Sequence, residues 1–343
     1  MTAGAERGAP TGRRAGVTIS QVAAAAGVSR ATVSRVMNGR STVAADLADR
    51  VRATASALGY EPNPHARSLA LGRTTTVGLV VPDLANPMFQ AVLRGLSEAA
   101  AAQGHRVMVA ESNEDPAEEE VLAAEVARRC DGLVLASSRL PDERLVALAP
   151  GLGPLVLVNR ELPRLTVPSL TVDYGAGVRD VAEHLLALGH TRLAYLAGPG
   201  SSAAHQARSA ALRSLARERA GVDLVELPCG STFVNGHASA RAVLDSGATG
   251  VVAFNDLVAF GALSGLHELG VAVPDRVSIA GFDDIPFARY TTPPLTTASV
   301  PQHELGSLAW QRLWSLLGDR PPQHNVVFRP RLVVRRSTGP APR

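Results

Sequence analysis

Arg30, Thr32, Ser34 and Arg35 fall within six residues, on faces of one short predicted helix that its apolar positions Val33 and Val36 leave free. The planar fork of an arginine matches O6 and N7 of guanine in a major groove. Thr18, Ser29 and Asn38 sit at predicted helix ends, where hydroxyls, amides and free backbone N–H groups can hold phosphate oxygens. Such residues recognise a duplex; a solvated face on a small three-helix bundle is the bland alternative. Catalysis needs a different constellation. GxSxG, HExxH and the P-loop are absent, and the run Gly198-Pro199-Gly200-Ser201-Ser202 lacks GxGxxG. His190 and His205 have no identifiable partner and His184 reads as a satisfied helix histidine, so an enzyme is not expected. Cys130 and Cys229 make no CxxC, which argues against a disulfide framework and a zinc site, and no cofactor is expected.

The elements that must hold these side chains are legible. Thr18 and Gln21 form a capping box that starts a helix over roughly 19–26, ended by Gly27. Ser29 caps a second helix over roughly 30–37, broken at Asn38-Gly39. A third, about 44–58, carries Leu47, Val51, Ala55 and Leu58 inward and ends at Gly59. Helix, glycine turn and second capped helix is the pattern of a helix-turn-helix. Pro62 and Pro64 stop the third helix, and His65 to Leu71 can form two helical turns, too short to stand alone. This stretch reads as a linker that folds conditionally.

From Thr74 onward apolar runs alternate with helical segments. The predicted strands are 77–81, 106–110, 133–136, 155–158, 192–196, 251–254 and 277–280; the helices lie near 88–103, 117–129, 176–188, 205–219, 236–246 and 256–269. Such alternation argues for parallel sheets covered on both faces, with units enough for two. Ligands of open parallel sheets bind at the carboxyl ends of strands, so polar residues just after them are the ones to watch.

Charge divides the chain in the same place. Residues 1–73 hold ten arginines against four acids, a net +6, and the remainder carries −3. A basic head on a mildly acidic body puts the phosphate-binding surface at the N-terminal end. No run approaches the ~18 apolar residues of a membrane span, and residues 1–16 lack a signal-like apolar core. They read as a disordered lead-in to a cytoplasmic protein that does not engage a membrane.

VTISQVA (17–23), GVS (27–29), TVSRVMN (32–38) and GYEPN (59–63) together closely resemble the head of the lactose-repressor (LacI/GalR) family. The resemblance continues through VVPDLANPMF (80–89), LGH (188–190), YLAGP (195–199), FND (254–256), GFDD (281–284) and PPLTT (293–297). It implies an all-α helix-turn-helix head and hinge helix joined to an α/β, two-lobed, periplasmic-binding-protein-like domain with two Rossmann-like parallel sheets. The implied boundaries are 17–61 for the head, 62–73 for the hinge and 74–336 for an effector-binding and dimerisation domain, with 337–343 a tail. The first lobe would take about 74–172 plus 299–319, and the second about 173–298 plus 320–336.

By the same resemblance Arg30, Ala31 and Arg35 read bases, Ala31 offering only a methyl contact. Leu69 is a minor-groove wedge beside Ala66, and Asn63 joins the DNA-facing set. Few contacts per head imply a homodimer on a palindromic double-stranded operator. A cleft between the lobes would hold a small-molecule effector, a carbohydrate or its phosphate by preference, at Met88, Phe89, Asn159, Ser202, Arg208, Asn255 and Asp283. Arg208 is expected to pair with Asp283. Three positions depart from the family pattern: Asn159 for Asp, Ser231 for an aromatic platform that nearby Phe233 could replace, and Val300 for Gln. The implied role is a repressor. The sequence leaves open an activator or a co-repressor-dependent regulator responding to a non-sugar metabolite, since coupling has either sign. A solute-binding protein is the distant alternative.

Overall fold

A computed structural model describes residues 17–37, 43–60, 74–318, 320 and 325–343. The chain divides into two compact units, Met1–Thr74 and Thr75–Arg343. In the first, α1 (Ile19–Ala26), α2 (Arg30–Met37) and α3 (Ala45–Ala57) bury Val22, Ala26, Val33, Val36, Val51 and Ala55 against one another. The capping box forms as read: Thr18 N–H donates to Gln21 Oε1 at 2.7 Å and Gln21 N–H to Thr18 Oγ1 at 3.4 Å. Gly27 closes α1 at φ 66°, a left-handed conformation that costs glycine little. α3 stops one residue earlier than expected, so Leu58 is left 39% exposed and Ala48 fills the core place instead.

The second unit holds two six-stranded sheets. Its elements are β1 (Thr76–Val81), α4 (Pro87–Ala102), β2 (Arg106–Glu111), α5 (Pro116–Arg129), β3 (Leu133–Ala136), α6 (Asp142–Leu148), β4 (Leu155–Val158) and β5 (Ser169–Val172). There follow α7 (Tyr174–Ala187), β6 (Arg192–Ala197), α8 (Ala203–Glu218), β7 (Asp223–Pro228), α9 (Phe233–Asp245), β8 (Gly250–Ala253), α10 (Asp256–Glu268) and β9 (Ser278–Asp283). The chain ends with β10 (Thr296–Ser299), α11 (Gln302–Leu317), β11 (Val326–Phe328) and β12 (Arg331–Val333). The first sheet runs β11-β5-β4-β3-β1-β2, all parallel; the second runs β12-β10-β9-β8-β6-β7, parallel except for β12. Helices on both faces explain why β3 and β4 are buried throughout and read as unbroken apolar runs.

Three crossings join the lobes, at Asp173, at Val300–Pro301 and at Arg329–Pro330. The last corrects the expected division. Val326 pairs with Leu170 of β5, so the first lobe regains the chain to Phe328, a stretch that the resemblance places in the second. Residues 337–343 are also not a loose tail. Ser337 is fully buried, its Oγ accepting from Thr296 N and donating to Ile279 O, while His190 Nε2 meets the Gly339 carbonyl at 3.0 Å. Strands β5, β7, β10, β11 and β12 and helices α6 and α11 add to the predicted set.

α4 and α11 approach at glycine. A Cβ on Gly306 would lie 2.0 Å from the Val92 carbonyl oxygen, and one on Gly95 would lie 2.0 Å from that of His303. Both obstacles are main chain, which cannot rotate aside. Gly306→Ala is therefore expected to cost at least the roughly 1–3 kcal/mol typical of overpacking, read as a lower urea midpoint; an unchanged midpoint would mean the helices part freely.

Candidate functional site

Two surfaces carry the expected residues, one in each unit. On the head, Ser29 Oγ accepts from Thr32 N at 3.1 Å and lies 2.9 Å from Thr32 Oγ1, which starts α2 and ties both hydroxyls to its first turn. Val33 and Val36 are buried while Arg30, Ala31 and Arg35 are exposed; Thr32 and Ser34 are half-buried beside them. At roughly 100° per residue the exposed set occupies one continuous face. Asn38, Asn63, Ala66 and Leu69, with the expected lead-in 1–16 and the whole of the expected hinge 62–73, lie outside the described residues.

In the larger unit the carboxyl ends of the strands from both lobes meet. Of the seven non-glycine residues with positive φ among the described residues, six are Asn113, Glu114, Ser137, Asn159, Asp283 and Asp284, all just beyond or ending β2, β3, β4 and β9. Strained backbone concentrates at ligand sites more than elsewhere. A cavity of about 30 Å³ opens there, lined by Met88, Phe89, Ser202, Arg208, Asn255 and Asp283 of the expected set. Asn86, Glu114, Ser137, Arg139, Tyr174, Ala204, Ser231 and Phe254 complete the wall. As it stands the space holds at most a few waters, well short of the ~300–1,000 Å³ of a small-molecule pocket.

Helix starts position much of the wall. Asn86 Oδ1 caps α4 through Met88 N at 2.9 Å, Ser202 Oγ caps α8 through His205 N at 3.3 Å, and Asn255 Oδ1 caps α10 through Val258 N at 2.8 Å. Asn255 also donates from Nδ2 to the Ser231 carbonyl at 2.8 Å, which fixes the loop before α9.

Arg208 is the centre. Its guanidinium carbon lies 3.9 Å from the ring centre of Phe282, 4.5 Å from Tyr174 and 4.8 Å from Phe254. Its side chain is 2% exposed, and its Nε finds no hydrogen-bond partner among the described residues. The expected partner Asp283 is present, but Nη2 to Oδ1 is 3.9 Å, an ion pair without a hydrogen bond. Burial pushes the Asp283 carboxyl up to about 7, against the opposing pull of Arg208. Behind it Asp256 is raised well above the carboxylate range by burial and by the Asp283 charge, although Thr297 Oγ1 at 2.6 Å and Ile285 N at 2.8 Å both donate to it. The cleft thus holds a rigid cation with an unused donor and a carboxyl group poised near neutrality.

The sign of the pH effect follows. The unfolded Asp283 loses its proton near pH ~4, whereas the folded one keeps it to about pH 7, so wild-type stability falls between these values. Asp283→Asn lacks that proton linkage. The variant is expected to gain on the wild type by up to about 1.4 kcal/mol per pH unit across the window, with no further gain above it. Urea denaturation of both proteins at pH 5 and pH 8 checks this; a constant difference would count against it.

Four expectations meet different geometry. Asn159 does not line the cavity: it stands behind Ser137, whose Oγ receives its Nδ2 at 3.2 Å. Phe233 does not replace the missing aromatic platform, because as the first residue of α9 it is 44% exposed and away from the wall, which Ser231 lines instead. Val300 is buried in the core, and the amide of Gln302, two residues on, donates to the Asp283 carbonyl. His190 and His205 do have partners: Thr249, Ser278 and Gly339 for the first, Tyr195 for the second. Both contacts staple the second lobe. Arg139 and Glu114 had no place in the sequence reading, though Ser137 and Arg139 directly follow β3, where the strand-end rule points.

Residues 18–63 match the bacterial regulatory proteins described as the lacI family, and residues 182–338 match a periplasmic binding protein-like domain. The HTH-type transcriptional regulator DegA of Bacillus subtilis is 33% identical over 332 residues, covering 94% of this chain and 98% of its own. The structure of the lac repressor dimer bound to operator and the anti-inducer ONPF superposes with a TM-score of 0.83 at 28% identity, over 95% of this chain and 100% of that one. A complex of the transcriptional regulator CelR with cellobiose gives a TM-score of 0.69 at 30% identity, over 94% and 99%.

Proposed function

Since this chain belongs to the lacI family of bacterial DNA-binding transcriptional regulators, we propose that it represses transcription as a homodimer on a palindromic operator and answers to a sugar-type effector in its interlobe cleft. The observation that carries the reading is the division of labour in α2. Its two valines are spent on the head's core, which leaves Arg30, Ala31 and Arg35 as a continuous outward face fit for a major groove.

The dimer is supported by apolar side chains that the second lobe leaves in solvent: Val234 at 74% exposure, Tyr290 at 76% and Phe287 at 58%. The lac repressor neighbour is itself a dimer. The effector reading is supported by Arg208, whose uncommitted Nε is costly to bury unless an oxygen acceptor arrives. CelR, a neighbour of similar fold, holds cellobiose. Effector binding would change lobe closure and, through residues 62–73, the readiness of two heads for adjacent half-sites.

Fluorescence anisotropy with palindromic duplexes from the chain's own upstream region, repeated across a sugar panel and a salt series, tests the whole. Specific binding that weakens steeply with salt and changes with one sugar is the expected result. Equal affinity for random and palindromic duplex under every condition would sink it. No helix among the described residues is long and apolar enough to cross a membrane.

A further inference from the structure

Accepting the cleft as the effector site, we propose that Glu114 sets its specificity. Its carboxylate, held by Arg139, receives hydroxyl donors of an uncharged polyhydroxylated effector and turns away phosphorylated or acidic ones.

The first-lobe wall is an acceptor surface. Arg139 donates to Glu114 twice, from Nε and from Nη2 (the latter at 3.0 Å), and from Nη1 to the Ser137 carbonyl at 2.7 Å. Its backbone N–H is taken by Glu119 at 2.6 Å. A carboxylate offers about four acceptor sites, so each Glu114 oxygen keeps a lone pair after serving Arg139. The side chains are also unequally placed, Glu114 being 22% exposed and Arg139 4%. Of the two groups that line the wall, the carboxylate is therefore the more accessible to a ligand.

The backbone fixes that presentation. Asn113 and Glu114 are both left-handed, at φ 51° and 63°, a conformation a glutamate rarely adopts. Glu114 N–H donates to the Pro82 carbonyl at 3.0 Å and Asp115 N–H to the Ser112 carbonyl at 2.9 Å, which locks the turn. Further negative charge stands nearby. The Asp83 carboxyl is raised by burial and then by Glu114 and Glu111, so all three share one field with Arg139 as the counter-charge bonded to Glu114.

Across the cavity Asp283 is a second acceptor, and Arg208 supplies the unused Nε donor. A matching ligand donates toward both walls and accepts between them. Hydroxyl groups do both. A phosphate or carboxylate presented to the first lobe would meet Glu114 with the Arg139 charge already compensated.

The test uses the full-length protein in isothermal titration calorimetry. The probes are neutral pentoses, hexoses and disaccharides, each set beside its phosphate ester or uronic acid. A neutral member should bind the wild type about 10- to 100-fold tighter than its charged counterpart, the range of charge-assisted hydrogen bonds. Glu114→Gln should weaken the neutral ligand about tenfold and narrow the discrimination. Glu114→Asp, which retracts the charge but keeps it, should restore rejection of the charged ligand without restoring full affinity. A charged probe binding as well as its neutral counterpart overturns the proposal, as does unaltered discrimination in Glu114→Gln. Binding by no probe at all, with Arg208→Met indistinguishable from wild type, overturns the reading of the cleft and this proposal with it.

Discussion

Arg208→Met is expected to abolish the response of DNA binding to effector while operator affinity without effector stays within a few-fold of wild type. Methionine fills most of the space between Tyr174, Phe254 and Phe282, so the aromatic cage keeps its packing. What disappears is the donor set. A buried guanidinium that gives two charge-assisted hydrogen bonds to a ligand is worth about 150- to 25,000-fold in affinity, each bond contributing about 1.5–3 kcal/mol. The fold should survive because Asp283 can shed its charge. Its carboxyl already stands at about 7 with Arg208 present, and removing the cation moves it higher, so it is protonated and neutral at ordinary pH. That escape spares much of the penalty of orphaning a buried ion. Arg208→Lys should fare no better than methionine, since an ammonium lacks the flat faces that three rings now cover and cannot fork toward a ligand. Calorimetry against the best wild-type sugar, with anisotropy for the operator, checks each half. A methionine variant that still responds to the sugar would move the effector site away from Arg208.

Much of this cleft was readable because its parts sit where parallel sheets always place them. Met88, Phe89, Ser202, Asn255 and Asp283 each end a strand or follow one closely, and motif and strand-end rule point to them together. The Arg208–Asp283 pair was likewise expectable, because a buried arginine needs a counter-charge. Glu114 and Arg139 escaped for a physical reason. Their contact joins residues 25 apart and depends on a left-handed turn at a glutamate, and nothing in local composition signals such a turn. β7 escaped because it lies at an edge of the second sheet, where the exposed Asp223 and the half-buried Glu226, which accepts from Ser209 Oγ, interrupt an apolar run. The last seven residues looked like a tail because serine, glycine and proline carry no periodicity. Yet the Ser337 hydroxyl and carbonyl satisfy Thr296 and Ile279 inside the lobe. Helices of the head were the most legible elements, since caps and turns are local chemistry. Thr18, Gln21 and Gly27 make the contacts their types dictate.

Arg35→Ala should produce the other large change, a loss of operator selectivity with little loss of general DNA affinity. Arg35 is exposed on α2, its helix held from behind by Val33 and Val36, so its removal leaves the head folded. One bidentate guanine contact is worth about 1–3 kcal/mol of discrimination. In a symmetric dimer the change is felt twice, about 2–6 kcal/mol, or roughly 30- to 20,000-fold between operator and random duplex. Ser29→Ala is the informative control. Its hydroxyl caps α2 through Thr32 N, so losing it should cost about 1 kcal/mol through the cap and weaken all duplexes alike. Salt separates the two roles open to Arg35. A lost arginine–phosphate contact shallows the slope of log affinity against log salt by about one per head, whereas a lost base contact, like the loss of the uncharged Ser29 hydroxyl, shifts the line and largely leaves its slope. If Arg35→Ala flattened that slope and kept the preference for the palindrome, Arg35 would be a backbone contact, and base reading would have to rest on Arg30 and Ala31.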